Sequence, residues 1–587
     1  MSKTWLRLIG LLTIYTLLLS FLQTTQCSIR DSLPQLMPPS PILEERIEKG
    51  LIDEPAVLAE GNALLTQGID NPQMTVKRTG TIRALAVVVD FSDKVRTVQA
   101  SYFDTLIFAA PVIGRGSVKD YFDEVSYSQV DIVTLNLPSN LGWVRAPSSY
   151  SNYVNGGYCI NTSYPQNCQK LAEDIVAAID SSVNFSEYDN DHDGWAEPIM
   201  LIHAGPGAEY TGSPNDIWSH SWNLRTPSFR DGVYISKYVI MPEYWTSVNA
   251  SSSDMTIGVF AHEMGHGFWG LPDLYDTTNR SEGIGNWSLM ASGSWNGPYN
   301  NGSSPAWPDA WSRIQMGFVT PTQIIANTTS SSFPKIVGET GLASVFKIQN
   351  SKLQANEYFL IENRQRTSGS YDQYLPGSGL LVWQIDEAMW NFGNDYRCLS
   401  ASNSDCDDSY HYLVALKQAD GVRNLEYKTN RGDTGDPFPG SSNRTSWTIN
   451  STPDTRSYYN ANDSCIQVTN ISPASDTMTA ALQVTCQLPP TNVNAIRTSA
   501  TQITLNWVDV EGETSYLIDR SIDGGENWLL LATTSANTVN FTDANAPEGT
   551  IYRYRVQAVN ADGGSFYSSV AESITLAFRA FLPAISK

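Results

Sequence analysis

The stretch "GVFAHEMGHGFWGLPDLYD", residues 258–276, decides how this chain is read. His262 and His266 stand four apart, so on a helix they share one face, one turn apart. Two imidazoles at that spacing can grip one Zn²⁺. Glu263 follows the first histidine and can take a proton from water beside the metal. Residues 256–266 suit that helix, with Asp254 or Thr256 as its cap, and Gly258 and Gly265 leave room on the metal's side. Gly267 and Gly270 then punctuate the chain and Pro272 cannot sustain a helix, so the backbone must turn. That turn can return a third ligand to the metal. Asp273, Asp276 and Glu282 are the candidate carboxylates. Three protein ligands and one open position are what a catalytic zinc requires.

The flanking sequence extends this reading. "IRALAVVVDFSD" and "PIMLIHAG" are buried-strand runs, and "CQKLAEDIVAAIDSSV" spaces Leu171, Ile175, Val176 and Ile179 along one helical face. Strand, helix, strand and then the histidine helix form an α/β core over residues 80–320. Upstream, residues 28–79 are polar and marked by prolines, with one helical patch at "PILEERIEKGL", and they read as a propeptide. Lys77-Arg78 is a candidate processing point.

Residues 321–486 carry strand signals in "SVFKIQN", "EYFLIENR", "GLLVWQID" and "HYLVALKQAD", which predict a mainly β region. Over 487–577, "TQITLNW" and "IYRYRVQAVN" alternate apolar and polar residues as in a β-sandwich. These residues resemble a fibronectin type III domain. The tail, 578–587, is short and apolar.

At 587 residues the chain is too long for one core. Its formal charge of -23 excludes a general nucleic-acid binder. Lys3 and Arg7 before the apolar "LIGLLTIYTLLLSFL" predict an export signal over residues 1–27, and no later stretch is long enough for a stable membrane span. Of seven cysteines, six fall into sequence-local pairs: Cys159 with Cys168, Cys398 with Cys406, and Cys465 with Cys486. In an exported chain these predict disulfides.

"HEMGHGFWGLPDLYD" together with "WSLMASGSWNG" resembles the immune inhibitor A family of secreted metalloproteases, in the metzincin clan. "HAGPGAEYTGSPNDIWSHSW", "GLLVWQIDE" and "ADGVRNLEYKTNRGDTGDPFPG" add to the likeness, which covers roughly residues 35–485. The resemblance implies a multidomain α+β chain. A propeptide would precede a metzincin-like zinc protease core, followed by a β-rich domain and a fibronectin type III-like sandwich. It implies a zymogen whose Zn²⁺ is held by His262, His266 and Asp273, with Glu263 as the catalytic base and Met290 as structural support beneath the metal. Its substrates would be extracellular proteins or peptides, with surface or matrix attachment through the C-terminal sandwich. The pattern departs at one point. Asp273 follows His266 by seven residues where metzincins have six, and a one-residue bulge in the turn is the expected remedy. An extracellular binding protein with a degenerate, structural zinc is the alternative reading.

Two further acidic stretches invite cations. "DNDHDGWAE" sets Asp189, Asp191 and Asp193 at alternate positions before Gly194, as in the first half of a calcium loop. The Trp195 carbonyl and Glu197 would complete it as Ca²⁺ ligands, although the usual bidentate glutamate is missing at Met200. Asp420, Asp433 and Asp436, around "RGDTGDPFPG", offer a second cation site. His203 and His220 read as packed, hydrogen-bonded histidines.

Overall fold

The computed structural model describes residues 34–58, 76–109, 116–338, 343–395, 411–459, 464–547 and 549–574. The export signal and the tail at 578–587 lie outside these residues.

The elements that frame the site are strands β1 (Gln35–Leu36), β2 (Leu85–Asp90), β3 (Val144–Arg145), β4 (Ile199–Pro206), β5 (His220–Arg230) and β6 (Val233–Tyr244), with helices α1 (Pro41–Glu48), α2 (Cys168–Ile179) and α3 (Ile257–Trp269). The strands form one sheet in the order β1-β5-β6-β4-β2-β3. β2, β4 and β6 are parallel neighbours, whereas β5 returns antiparallel to β6. Asp231 and Gly232, both at positive φ, make the β5–β6 turn. An Asp-Gly pair between two apolar runs favours that hairpin because both positions tolerate the left-handed backbone.

Side chains alternate across each strand, so the sheet has two apolar faces. Leu85, Val87, Val89, Leu201 and Ile240 pack on one side with Leu171, Ile175 and Ile179 of α2. Ala86, Val88, Ile202 and Met241 pack on the other with Phe260, Met264 and Phe268 of α3. All thirteen residues of α3 are buried, as a helix that is apolar nearly all round must be. Each buried aliphatic side chain contributes about 1.5–3 kcal/mol relative to exposure. The histidine-bearing helix is therefore fixed by the core.

Behind the core, strands Val345–Ile348, Glu357–Arg364, Gly379–Asp386 and Val414–Leu416 join Thr322–Gln323 in a five-stranded sheet. Tyr358, Leu360 and Trp383 of that sheet share the apolar cluster of α3. The C-terminal region is a β-sandwich whose core includes Ile503, Leu505, Trp507, Tyr554 and Val556. The chain is thus multidomain, mixed in helix and strand, and closed by a fibronectin-like β domain. Disulfides join Cys159 to Cys168 and Cys465 to Cys486, with Cα atoms 5.1 and 5.0 Å apart. The third expected bridge, between Cys398 and Cys406, is not among the disulfides of the described residues, because Cys398 and Cys406 both lie outside them.

Candidate metal centre

Thr256 precedes α3 with an extended backbone, but its hydroxyl donates to Asn301 O and does not cap the helix. Asp254 is engaged elsewhere, accepting from the backbone NH groups of Trp245, Thr246 and Ser247. The glycines serve packing. A Cβ at Gly258 would collide with Ser294 O, and one at Gly265 would lie 2.5 Å from Met290 Sδ. The loop that follows α3 therefore folds directly onto the helix backbone, and Met290 sits under the histidine turn.

The additional residue after His266 needs no bulge. α3 runs on through Gly267, Phe268 and Trp269, and Gly270 at φ +68° ends it with its NH bonded to His266 O. Trp269 stacks on Phe122 with centroids 4.8 Å apart, which anchors the extra turn in the core. The turn brings Asp273 back to the histidines.

His262 Nδ1 lies 2.9 Å from Leu289 O, and His266 Nδ1 lies 2.7 Å from Leu271 O. A carbonyl only accepts, so each Nδ1 carries the proton and each neutral ring presents a bare Nε2. Those two Nε2 atoms are 3.0 Å apart. Asp273 Oδ1 sits 3.3 and 3.1 Å from them, buried and without a hydrogen bond. Three electron-pair donors face one another in a buried site, an arrangement that repels itself unless a cation lies among them. The donor set fits Zn²⁺ in kind and number.

Burial lowers the His262 pKa, keeping the ring neutral. Glu263 is fully buried with neither carboxylate oxygen hydrogen-bonded. Burial, then the charge of Asp273, pushes its pKa well above the ordinary value. Asp276 accepts bonds from Thr278 and Ser281 within the turn. Glu282 pairs with Arg431. Neither belongs to the cluster of His262, His266 and Asp273.

The N-terminal segment crosses this centre. β1 pairs antiparallel with the outer edge of β5, Gln35 opposite Ser221 and Leu36 opposite His220. Leu36 NH donates to Asp273 Oδ2 at 3.4 Å, and Leu36 O lies 3.4 Å from His262 Nε2. Tyr275 OH donates to the same carbonyl at 2.9 Å, and Trp295 Nε1 donates to Pro38 O at 3.0 Å. α1 follows, capped by Ser40 and opened by Pro41. Its Glu44 forms an ion pair with Arg431, which also donates to Pro39 O. Tyr275 and Arg431 were not legible as site residues, because no spacing rule ties either to the histidines.

Asp189, Asp191 and Asp193 come together as a second cluster. Glu197 stands apart from it, paired with Arg78, which also reaches Asp191 at 3.1 Å. The Trp195 ring packs at a tilt against Tyr234. Asp420, Asp433 and Asp436 form a third cluster. His203 and His220 are wholly buried, and burial holds their pKa values at about 3 and about 4.

Two histidines one helical turn apart, a carboxylate returning after a glycine turn and a buried glutamate beside them describe a metallopeptidase centre. Comparison with known proteins assigns two regions of the chain. Residues 74–319 match the immune inhibitor A peptidase M6 catalytic domain, and residues 488–574 match a fibronectin type III domain. The chain therefore carries a peptidase M6 catalytic domain of the immune inhibitor A type, with a fibronectin type III domain behind it. It is 32% identical over 181 residues to an immune inhibitor A of Bacillus thuringiensis subsp. alesti, covering 26% of each chain. It is 30% identical over 204 residues to the pre-pro-metalloprotease PrtV of Vibrio cholerae serotype O1 (strain M66-2), covering 29% of this chain and 21% of that one. These alignments span about a quarter of the curated relatives' length. A solved Fn3-like protein from Clostridium thermocellum is 29% identical over 15% of this chain and 92% of its own, with a TM-score of 0.14. Among the described residues, no helix is long and apolar enough to cross a membrane.

Proposed function

We propose that this chain is the precursor of a secreted zinc endopeptidase with a metzincin-like core, acting on extracellular proteins. The observation that carries the reading is the buried meeting of two bare Nε2 atoms and Asp273 Oδ1, with a hydrogen-bond-free Glu263 next in sequence to His262. His262, His266 and Asp273 would hold the zinc. When bound, it supplies a Lewis acid that polarises the scissile carbonyl and acidifies water. Glu263 takes the proton of the attacking water on its carboxylate and returns it to the leaving amine nitrogen. The open edge of β5 aligns an extended substrate by backbone pairing, as it aligns Gln35–Leu36 in the precursor. Residues 28–79 are the propeptide in this reading, and Leu36 lays a peptide carbonyl where a substrate's would lie. The fibronectin-like sandwich serves attachment to substrate or surface.

A binding protein with a merely structural metal has no use for Glu263, whose burial without a partner is costly. The test is casein hydrolysis by processed protein, with and without a chelator, beside Glu263→Ala. Activity lost on chelation, restored by Zn²⁺ and absent from Glu263→Ala supports the enzyme. Equal inactivity of wild type and variant after correct processing refutes it.

A further inference from the structure

Asp420, Asp433 and Asp436 each bring a carboxylate oxygen to within 4.8 Å of the other two. They belong to a loop of the β-rich region, on residues separate from the histidine centre. Asp436 is wholly buried and Asp420 and Asp433 are partly buried. Among the described residues, no basic side chain forms an ion pair with any of the three. The nearest in sequence, Arg431, turns to Glu44 and Glu282.

The loop holds these carboxylates in place. Asp433 Oδ2 accepts from the amides of Asn424 and Asn430 at 2.9 and 2.8 Å, and its Oδ1 accepts from Gly435 NH at 2.7 Å. Asp436 Oδ2 accepts from Trp287 Nε1 at 3.0 Å and from Asp433 NH at 2.9 Å. Asp420 Oδ1 accepts from Val422 NH at 2.9 Å. Asp436 Oδ1 is buried with no hydrogen-bond partner. A Cβ at Gly435 would collide with Asp420 Oδ2, so the space between the carboxylates is kept clear by a missing side chain. Burial, with the charges of Asp433 and Asp420 added, raises Asp436 to about 7. One proton would relieve Asp436 alone, whereas a divalent cation offsets two of the three charges and gives the orphan oxygen a partner.

We propose that Asp420, Asp433 and Asp436 form a calcium site that fastens the 420–436 loop to Trp287. Only hard oxygens converge there, which disfavours zinc. An irregular loop of carboxylates suits Ca²⁺, which takes six to eight oxygens in a flexible geometry, whereas Mg²⁺ demands a near-ideal octahedron and keeps several waters. The loop also bears Arg431, the partner of Glu44 on α1, and Trp287 stands three residues before Met290. Calcium here steadies both the floor of the metal centre and the anchor of the N-terminal segment.

The test uses the full-length chain carrying Glu263→Ala, stripped with EGTA, returned to one equivalent of Zn²⁺ and titrated with Ca²⁺ in a calorimeter. Asp420→Asn and Asp433→Asn are expected to weaken one calcium event by at least about tenfold, while Asp191→Asn retains it. Mg²⁺ is expected to compete poorly. Asp420 is partly exposed, so its variant should keep the parent's circular dichroism and report binding alone. As a second readout, Tb³⁺ emission excited through tryptophan should fall in Trp287→Phe. Unchanged calcium affinity and stoichiometry in a folded Asp420→Asn overturns the proposal, as does an event lost only in Asp191→Asn or no calcium binding at all.

Discussion

Mild acid should destabilise the catalytic core through two histidines that take no part in the metal centre. His203 and His220 are fully buried, with pKa values held by burial at about 3 and about 4 against an ordinary 6.5. In the unfolded chain both rings take up a proton as pH falls through 6.5, while the folded chain leaves them neutral. The stability they contribute is therefore complete above pH 6.5 and is lost as pH falls from there toward 4. Between pH 7 and 5 an unfolded imidazole gains about 1.4 log units of proton binding over a folded one, or about 2 kcal/mol, at 1.36 kcal/mol per unit. The two rings together predict a loss of about 4 kcal/mol. The assay is urea unfolding of the Glu263→Ala chain at several pH values, followed on the transition that carries the catalytic core. His220→Gln keeps polar atoms near Trp218 O and Tyr238 OH, the ring's present partners at 2.7 and 3.0 Å. It will be less stable at pH 7, but its decline to pH 5 should be shallower by about 2 kcal/mol. Parallel declines in wild type and variant would refute the assignment of the acid sensitivity to His220.

Asp273→Ala should lower zinc retention by more than the about 10–100-fold typical of losing an outer partner, and Asp276→Ala should not; metal analysis after dialysis separates them. Arg431→Ala breaks a largely buried pair with Glu44, a change that costs at most about 3–5 kcal/mol. The precursor should then lose protection of residues 34–58 against added trypsin and gain peptide hydrolysis, and an unchanged precursor counts against the anchoring role. Gly258→Ala drives a methyl into Ser294 O and should cost about 3 kcal/mol in thermal or urea unfolding. A full-stability Gly258→Ala would show that the loop can yield.

What was legible in the sequence follows from locality. The histidine pair, Glu263 and the alternation of Ile503, Leu505 and Trp507 are short-range patterns, and each forms the expected element. Spacing points to Asp273 but predicts a bulge on the way to it. The route is a longer helix, because Trp269 found Phe122, which lies far away in sequence. The roles given to Gly258 and Gly265 differed for the same reason, since their neighbours arrive from residues 290–302. The pairing of Leu36 with β5 joins residues nearly two hundred positions apart, and two-residue strands leave no periodicity to detect. Glu197 could not be separated from its loop by spacing, because its partner Arg78 lies on another segment.

The N-terminal segment also acts as a lid over grease. Leu36, Leu43, Val57 and Leu58 cover Tyr158, Ile160, Ala208 and Trp218. Cutting that segment away would bare this apolar floor beside an unpaired strand edge in a single event. The freed protein would then resemble an unfinished interface, adhesive toward any extended chain and toward copies of itself. On the proposed reading of residues 28–79 as a propeptide, maturation would thus set two clocks together, one for catalysis and one for aggregation, and prompt occupancy by an unfolded segment would slow the second.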